Sequence, residues 1–172
     1  MSSAEGKVEV RPMTLEDTDA MLSIDRKIRA VGKAITYANL TTEYILSTGR
    51  KVSHRGSPTN YVDSIAGSAA GLLDFSFVAE VDGQVRGFIL GQVARLRQAA
   101  TQFGVIQMIG VHPDYQRKGI GIKLVNALAD KYRSTGIKTM RIGIAYRDKS
   151  LLSLVEHMGF GVDRLIVYSK TL

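Results

Sequence analysis

The chain opens with a period of two. In KVEVRP (7–12) apolar and charged positions alternate, which predicts a strand that stops at Pro12. The period then lengthens. In TLEDTDAMLSIDRKI (14–28) Met21, Ile24 and Ile28 share a helical face, with Thr14 placed to cap and Asp17 at the capping-box position. A second, shorter helix is predicted from Thr41-Thr42 to Gly49. From Gly49 to Asp74 the text becomes rich in Gly, Ser and Ala, a length that predicts a mobile or functional loop with room for a short helix of its own. FVAEVDGQVRGFILGQV (77–93) sets two apolar runs around Asp82-Gly83, which is hairpin chemistry. FGVIQMIGV (103–111) reads as a buried strand. After Gly119, residues Ile120, Leu124, Leu128 and Tyr132 form one helical stripe that Gly136 ends. IKTMRIGIA (137–145) alternates again at Met140, Ile142 and Ile144. Asp148 then caps a helix carrying Leu151, Leu152, Val155 and Met158 up to Gly159, and FGVDRLIVYSKTL (160–172) closes as strand material. The predicted order is β-α-α-β-β-β-α-β-α-β with no internal repeat, a mixed α/β domain around one sheet spanning residues 1–172.

Composition narrows the class. A chain of 172 residues, 45% hydrophobic and 23% charged, can bury one substantial core. MSSAEGKVEV has no signal-peptide core and no apolar run reaches the roughly 18 residues of a spanning helix, so a soluble, cytoplasmic protein is expected. The absence of Cys excludes disulfides, thiolate metal sites and a cysteinyl intermediate. The net charge is +7, and most of it is local. Residues 26–62 hold seven bases (Arg26, Lys27, Arg29, Lys33, Arg50, Lys51 and Arg55) against one acid, Glu43, a net +6. A solvated basic face and attraction of an anionic partner both account for it. Nucleic acid is disfavoured: the pI of 9.7 comes without Trp and without a basic stripe interleaved with stacking aromatics.

The chemistry centres on VHPDYQRKGIGIKLVNAL (111–128), where Gln116-Arg117-Lys118-Gly119-Ile120-Gly121 stands at a helix start. A helix N-terminus offers unpaired N–H groups and a positive dipole end, and glycines let a phosphate approach the backbone. Gln116, Arg117 and Lys118 add donors at the rim, which suits a pyrophosphate. The P-loop pattern is absent, and the third glycine of the Rossmann fingerprint is replaced by Leu124.

What remains, Q/R-x-x-G-x-G/A between a strand and a helix, resembles the GNAT superfamily of acyl-CoA-dependent N-acyltransferases. The resemblance runs from VRPMTLEDTDAM through VAEVDGQVRGFILG to LVEHMGF. It implies a mixed, mostly antiparallel central sheet flanked by helices, acetyl-CoA as co-substrate, no metal, and direct attack of an amine on the thioester. Backbone amides of Gln116 to Gly121 would hold the CoA pyrophosphate, and Ile109, Gly110 and Val111 would pair with pantetheine and supply oxyanion donors.

The catalytic end departs from the family pattern. Its usual Tyr acid falls on Val155, and Asp148 stands where Asn is common, able to cap and to touch pantetheine. A fourth-strand base falls on Val105 or Gln107, and Gln107 can only orient a water. Tyr146 is a substitute acid, with simple packing as its alternative. His157, Glu80 and His112 have structural roles as alternatives, Tyr37 is the acceptor-side aromatic that the resemblance implies, and His54 and Tyr61 are candidates in the long loop that the sequence does not place. The first two helices and ARLRQAATQF form that side in such a fold, so the +6 segment, with Arg95 and Arg97, points to an acidic acceptor amine, small molecule or protein. A non-catalytic acyl-CoA-binding regulatory module is the alternative reading. SIAGSAAGLLDF can pack on its own core or on a second subunit, which leaves a homodimer open.

Overall fold

A computed structural model of the chain describes residues 6–31, 73–95, 102–144, 148–163 and 171. Its strands are β1 (Val8–Pro12), β2 (Ser76–Val81), β3 (Gln84–Arg95), β4 (Gln102–Val111) and β5 (Met140–Ile142). The helices are α1 (Thr18–Val31), α2 (Ile120–Ser134) and α3 (Lys149–His157), with 3-10 turns at Leu15–Asp17 and Pro113–Tyr115. The sheet order is β1-β2-β3-β4-β5, antiparallel except for the parallel β4–β5 pair. The mixed, mostly antiparallel sheet is therefore as expected. The second helix expected at 41–49, the 49–74 connection apart from its final residues, and residues 164–170 and 172 of the last strand lie outside the described residues.

Each face of the sheet meets a helical stripe read from the sequence. On one face Met21, Ile24 and Ile28 of α1 bury against Val78, Phe88, Leu90 and Met108. On the other, Ile120, Leu124, Leu128 and Tyr132 of α2 and Leu151 and Val155 of α3 bury against Ala79, Ile89, Ile106 and Ile109. The central strands are covered on both sides, which explains why β3 reads GFIL as a continuous apolar run. The 82–83 turn takes positive φ at both residues (52° and 74°), as a tight hairpin requires. β5 is shorter than its alternation suggested and pairs only over Met140 to Ile142.

Tyr132 locks the second layer to the sheet. Its hydroxyl lies 3.0 Å from the carbonyls of both Gln92 and Val105, cross-strand partners on β3 and β4. Burial holds this phenol well above its ordinary range, so it remains a donor. The ring stacks on Phe75 and occupies the space above Gly91 and Gly104, where a side chain would otherwise stand.

The N-terminal segment is tied down by charge. Arg11 grips the buried Asp17 with two bonds, Nη1 to Oδ2 at 2.8 Å and Nη2 to Oδ1 at 2.7 Å, and its Nε reaches Glu80 at 2.8 Å. Asp17 also accepts from the Thr14 N–H at 2.8 Å, so the acidic half of the capping box is made. Its hydrogen bonds from Arg11 hold the carboxyl below the usual range.

Two outcomes follow. A Cβ at Gly104 would lie within 2.6 Å of three Tyr132 ring carbons, so Gly104→Ala should cost about 1–3 kcal/mol in urea unfolding, with less than additive loss in Gly104→Ala/Tyr132→Leu. Because the folded-state pKa of Asp17 is depressed, its ion pair stabilises above the unfolded carboxyl value of about 3.9 and is lost as pH falls through the folded one. Arg11→Met should therefore move the acid-unfolding midpoint to higher pH, and that shift should vanish in an Asp17→Asn background.

Candidate active site

β4 keeps β3 as a partner to Val111, but its pairing with β5 ends at Ile106 opposite Ile142. Beyond that point the β5 side of β4 has no pairing partner among the described residues, a gap in the ladder. The register with β3 slips in the same place: Leu90 stands opposite Met108 and Gly91 opposite Ile106, leaving Gln107 as an inserted residue.

That insertion reverses the backbone. The Gly104 N–H donates to Thr139 O at 2.9 Å, toward β5, whereas the His112 N–H donates to Arg86 O at 2.8 Å, toward β3. In an unbroken ladder two residues an even number of positions apart face the same neighbour. The bulge makes them face opposite ones, and by the same alternation the backbone groups of Ile109 and Val111 turn into the gap beside β5. Side chains change faces too. Ile106 and Ile109 pack under α2, and Met108 between them packs under α1.

The chain then turns into α2. Arg117 and Gly119 both take positive φ, 63° and 76°, and the helix begins at Ile120. The Gln116 side chain donates to the Val111 carbonyl at 3.0 Å. This corrects its expected place at the rim: the amide fastens the loop to the end of β4. Gly119 has no side chain with which to cap, and the first turn of α2 contains no acid. A Cβ at Gly119 would meet nothing within 4 Å, and one at Gly121 only Ile109 Cδ1 at 4.0 Å. The space an anion needs is thus open before a set of helix N–H groups, and Arg117, Lys118 and Lys123 are exposed around it. Lys118 Nζ and the Arg86 guanidinium both lie over the Tyr115 ring, 5.1 and 4.8 Å from its centre.

His112, which joins β4 to this loop, is buried. Its Nδ1 accepts from the Asp114 amide at 3.2 Å and its Nε2 lies 3.0 Å from Lys27 Nζ on α1. Desolvation first, then the charges of Lys27 and Arg86, hold the imidazole below its usual pKa against the opposing pull of Asp114. The ring is neutral at pH 7.

The other candidates separate clearly. Gln107, half-buried, donates its side-chain amide to Gln92 Oε1. A Cβ on neighbouring Gly91 would point into Tyr132, so Gln92 and its partner lie on the α1 side of the sheet. Asp148 caps α3, its Oδ1 accepting from the Leu151 N–H at 3.2 Å. Val155 is in the core, His157 is exposed, and Glu80 is bound to Arg11. Tyr146, Tyr37, His54 and Tyr61 lie outside the described residues. Gln92 and Lys27 were not singled out by sequence, because strand register and helix docking alone bring them to Gln107 and His112. Among the described residues no three His, Cys, Asp or Glu side chains are grouped as a metal site requires, and no helix is long and apolar enough to cross a membrane.

Comparison with known proteins bears on the fold and the family. The chain is 30% identical over 100 residues to an acetyltransferase of Sodalis glossinidius (strain morsitans), covering 58% of the chain and 66% of that protein. It is 31% identical over 85 residues to the ribosomal protein bS18-alanine N-acetyltransferase of Escherichia coli (strain K12), covering 49% of the chain and 53% of that protein. The matched region thus spans under two thirds of each relative's length. Among solved structures, the fold resembles a ribosomal-protein-alanine N-acetyltransferase from Brucella melitensis biovar Abortus 2308 (TM-score 0.67, 17% identity, 96% of this chain and 99% of that one). It also resembles the aminoglycoside N-acetyltransferase AAC(6')-Iy in complex with CoA (TM-score 0.65, 14% identity, 100% of both chains). The model of the acetyltransferase (GNAT) family matches residues 44–160, more than half of the sequence, and the chain belongs to that family.

Proposed function

We propose that this is an acyl-CoA-dependent N-acetyltransferase, one cytoplasmic domain over residues 1–172, that moves an acetyl group from acetyl-CoA to a primary amine within a ternary complex. The observation that carries the reading is a conjunction. An uncapped, glycine-opened helix N-terminus follows closely on a strand whose backbone turns away from β3, toward the side where its pairing with β5 has ended. The residues present fit coenzyme A in charge and in room. Amides of Gly119, Ile120 and Gly121 would hold its pyrophosphate, with Arg117 and Lys118 at the rim and Gln116 securing the loop. The Ile109 backbone and the Val111 amide, whose own carbonyl already accepts from Gln116, would pair with the pantetheine arm, beside Gly110, while Asp148 keeps the start of α3 in place.

Acetyl-CoA, when bound, supplies a thioester carbonyl for the amine to attack. The chain's part is to hold, orient and stabilise. Amides past the bulge are the oxyanion donors in this reading. Gln107 has no group that can take a proton at neutral pH, so its role is to orient the amine or a water, together with Gln92. Tyr146 is the proposed acid toward the departing thiolate, because Val155 has no proton to give.

Charge selects among acceptors. Arg26, Lys27 and Arg29 are exposed on α1, continuous in sequence with the rest of the +6 segment. Although Arg29 is paired with Asp25, a segment with this net charge would repel polycations, the character of an aminoglycoside, and favour an acidic amine such as the terminus of an acidic peptide.

The test has two parts. Gly121→Asp places an acid in the first turn of α2, which favours the helix and opposes an anion. It should leave the thermal midpoint at or above that of the wild type while weakening CoA binding about tenfold or more by calorimetry. Undiminished CoA binding in this variant would remove the basis of the reading. Thiol release followed over neutral, basic and acidic amines should be fastest with the acidic ones, and their kcat/KM should fall steeply as salt is added. A flat or rising salt profile would reject the acidic acceptor. CoA binding with no thiol release from any amine would instead favour a regulatory module, the reading that Val155 motivates.

A further inference from the structure

His112 faces two donors with a ring that can serve only one of them at a time. A neutral imidazole has one N–H and one bare nitrogen. With the proton on Nε2, Nδ1 accepts from the Asp114 amide at 3.2 Å and fixes the Pro113–Tyr115 turn. With the proton on Nδ1, Nε2 accepts from the Lys27 ammonium at 3.0 Å and fixes the turn to α1, the Nδ1–H then facing Asp114 Oδ2 at 3.8 Å. The imidazolium accepts from neither. Its charge would also be set beside Lys27 from α1 and Arg86 from β3, with Asp114 of the turn as the one acid and the Tyr115 ring edge-on at 5.5 Å.

The consequence passes along the chain. The His112 N–H closes the β3–β4 ladder on Arg86 O, its carbonyl accepts from the Tyr115 N–H at 2.8 Å, and Pro113 O accepts from the Gln116 N–H at 3.3 Å. Gln116 in turn grips Val111. These bonds between the end of β4 and the glycine loop are all made within a few residues of this ring. We propose that His112 is a positioning residue for the phosphate-binding loop: its neutral ring fastens the turn, through the Asp114 amide in one tautomer or to Lys27 of α1 in the other, and its protonation releases both and weakens coenzyme A binding. The inference rests on the reading of that loop as the CoA site.

The full chain allows a direct test, calorimetric CoA titration from about pH 5 to 8, across the imidazole range. His112→Asn retains a carbonyl oxygen two residues before the Asp114 N–H, the Asx-turn arrangement, and has no proton to gain. His112→Leu loses the bond at every pH. Wild-type affinity should match the Asn variant at the alkaline end and fall about tenfold toward the Leu variant at the acid end. The Asn variant should keep only the shallow slope contributed by the ligand's own phosphate. Lys27→Met leaves the ring in place but removes a positive neighbour, so it should move the wild-type transition to higher pH. Parallel profiles for the wild type and the Asn variant would overturn the proposal, as would an unmoved transition in Lys27→Met. No CoA binding by the wild type at any pH would instead overturn the reading of the loop itself.

Discussion

Gln107 lengthens β4 by one residue relative to β3, and the backbone on either side of it therefore serves opposite neighbours. Up to Ile106 the strand bonds to β5, as the Gly104 amide does. Past the bulge the even-numbered residues bond to β3, and the odd-numbered ones are released toward the gap. Without the extra residue, Ile109 and Val111 would spend their amides on β3, and the gap would present little to a ligand. The same slip moves Ile109 under α2, where it packs beside the helix start and comes within reach of Gly121. One insertion thus sets the direction of a backbone edge and the approach of the loop that follows it.

The rest of the fold holds that edge still. α2 must come close to β3, and Gly87 permits it, since a Cβ there would lie 2.9 Å from Ile120 and 3.1 Å from Leu124. Farther along, the Tyr132 ring takes the space over Gly91 and Gly104 and sets its hydroxyl against carbonyls of β3 and β4 just before the bulge. The helix that offers its N-terminus is therefore anchored at its other end to the two strands whose register creates the gap. On the opposite face Phe88 lies over Gly110, so the strand is backed by an aromatic ring where its amides would meet a thioester arm.

The first layer joins the assembly through two different chemistries. Arg11, Asp17 and Glu80 bind β1, the start of α1 and β2 by hydrogen-bonded charge. At its other end α1 meets the loop through Lys27 and His112, a contact of one ammonium with one ring nitrogen. Burial separates the two. Asp17 is buried with its counter-charge, which favours its ionised form, whereas His112 is buried among cations, which favours its neutral form.

How much of this was legible in the sequence follows from the range of each interaction. The stripe from Ile120 to Tyr132, the Asp82-Gly83 turn, the Asp148 cap and the glycines before α2 are local signals. Periodicity, positive φ and an open helix end are properties of a few neighbouring residues, and the chain alone determined them. The bulge at Gln107 left no such mark, because FGVIQMIGV has the same apolar run with or without a slip against β3. Its partner Gln92 and the Lys27–His112 contact lie far apart in sequence, and Gln116, read as a rim donor, proved to face the strand it follows. The sequence by itself determined that α2 would open at a glycine-rich start without a side-chain cap. Only the tertiary structure decided which backbone groups face the gap, because register is set between strands and not within one.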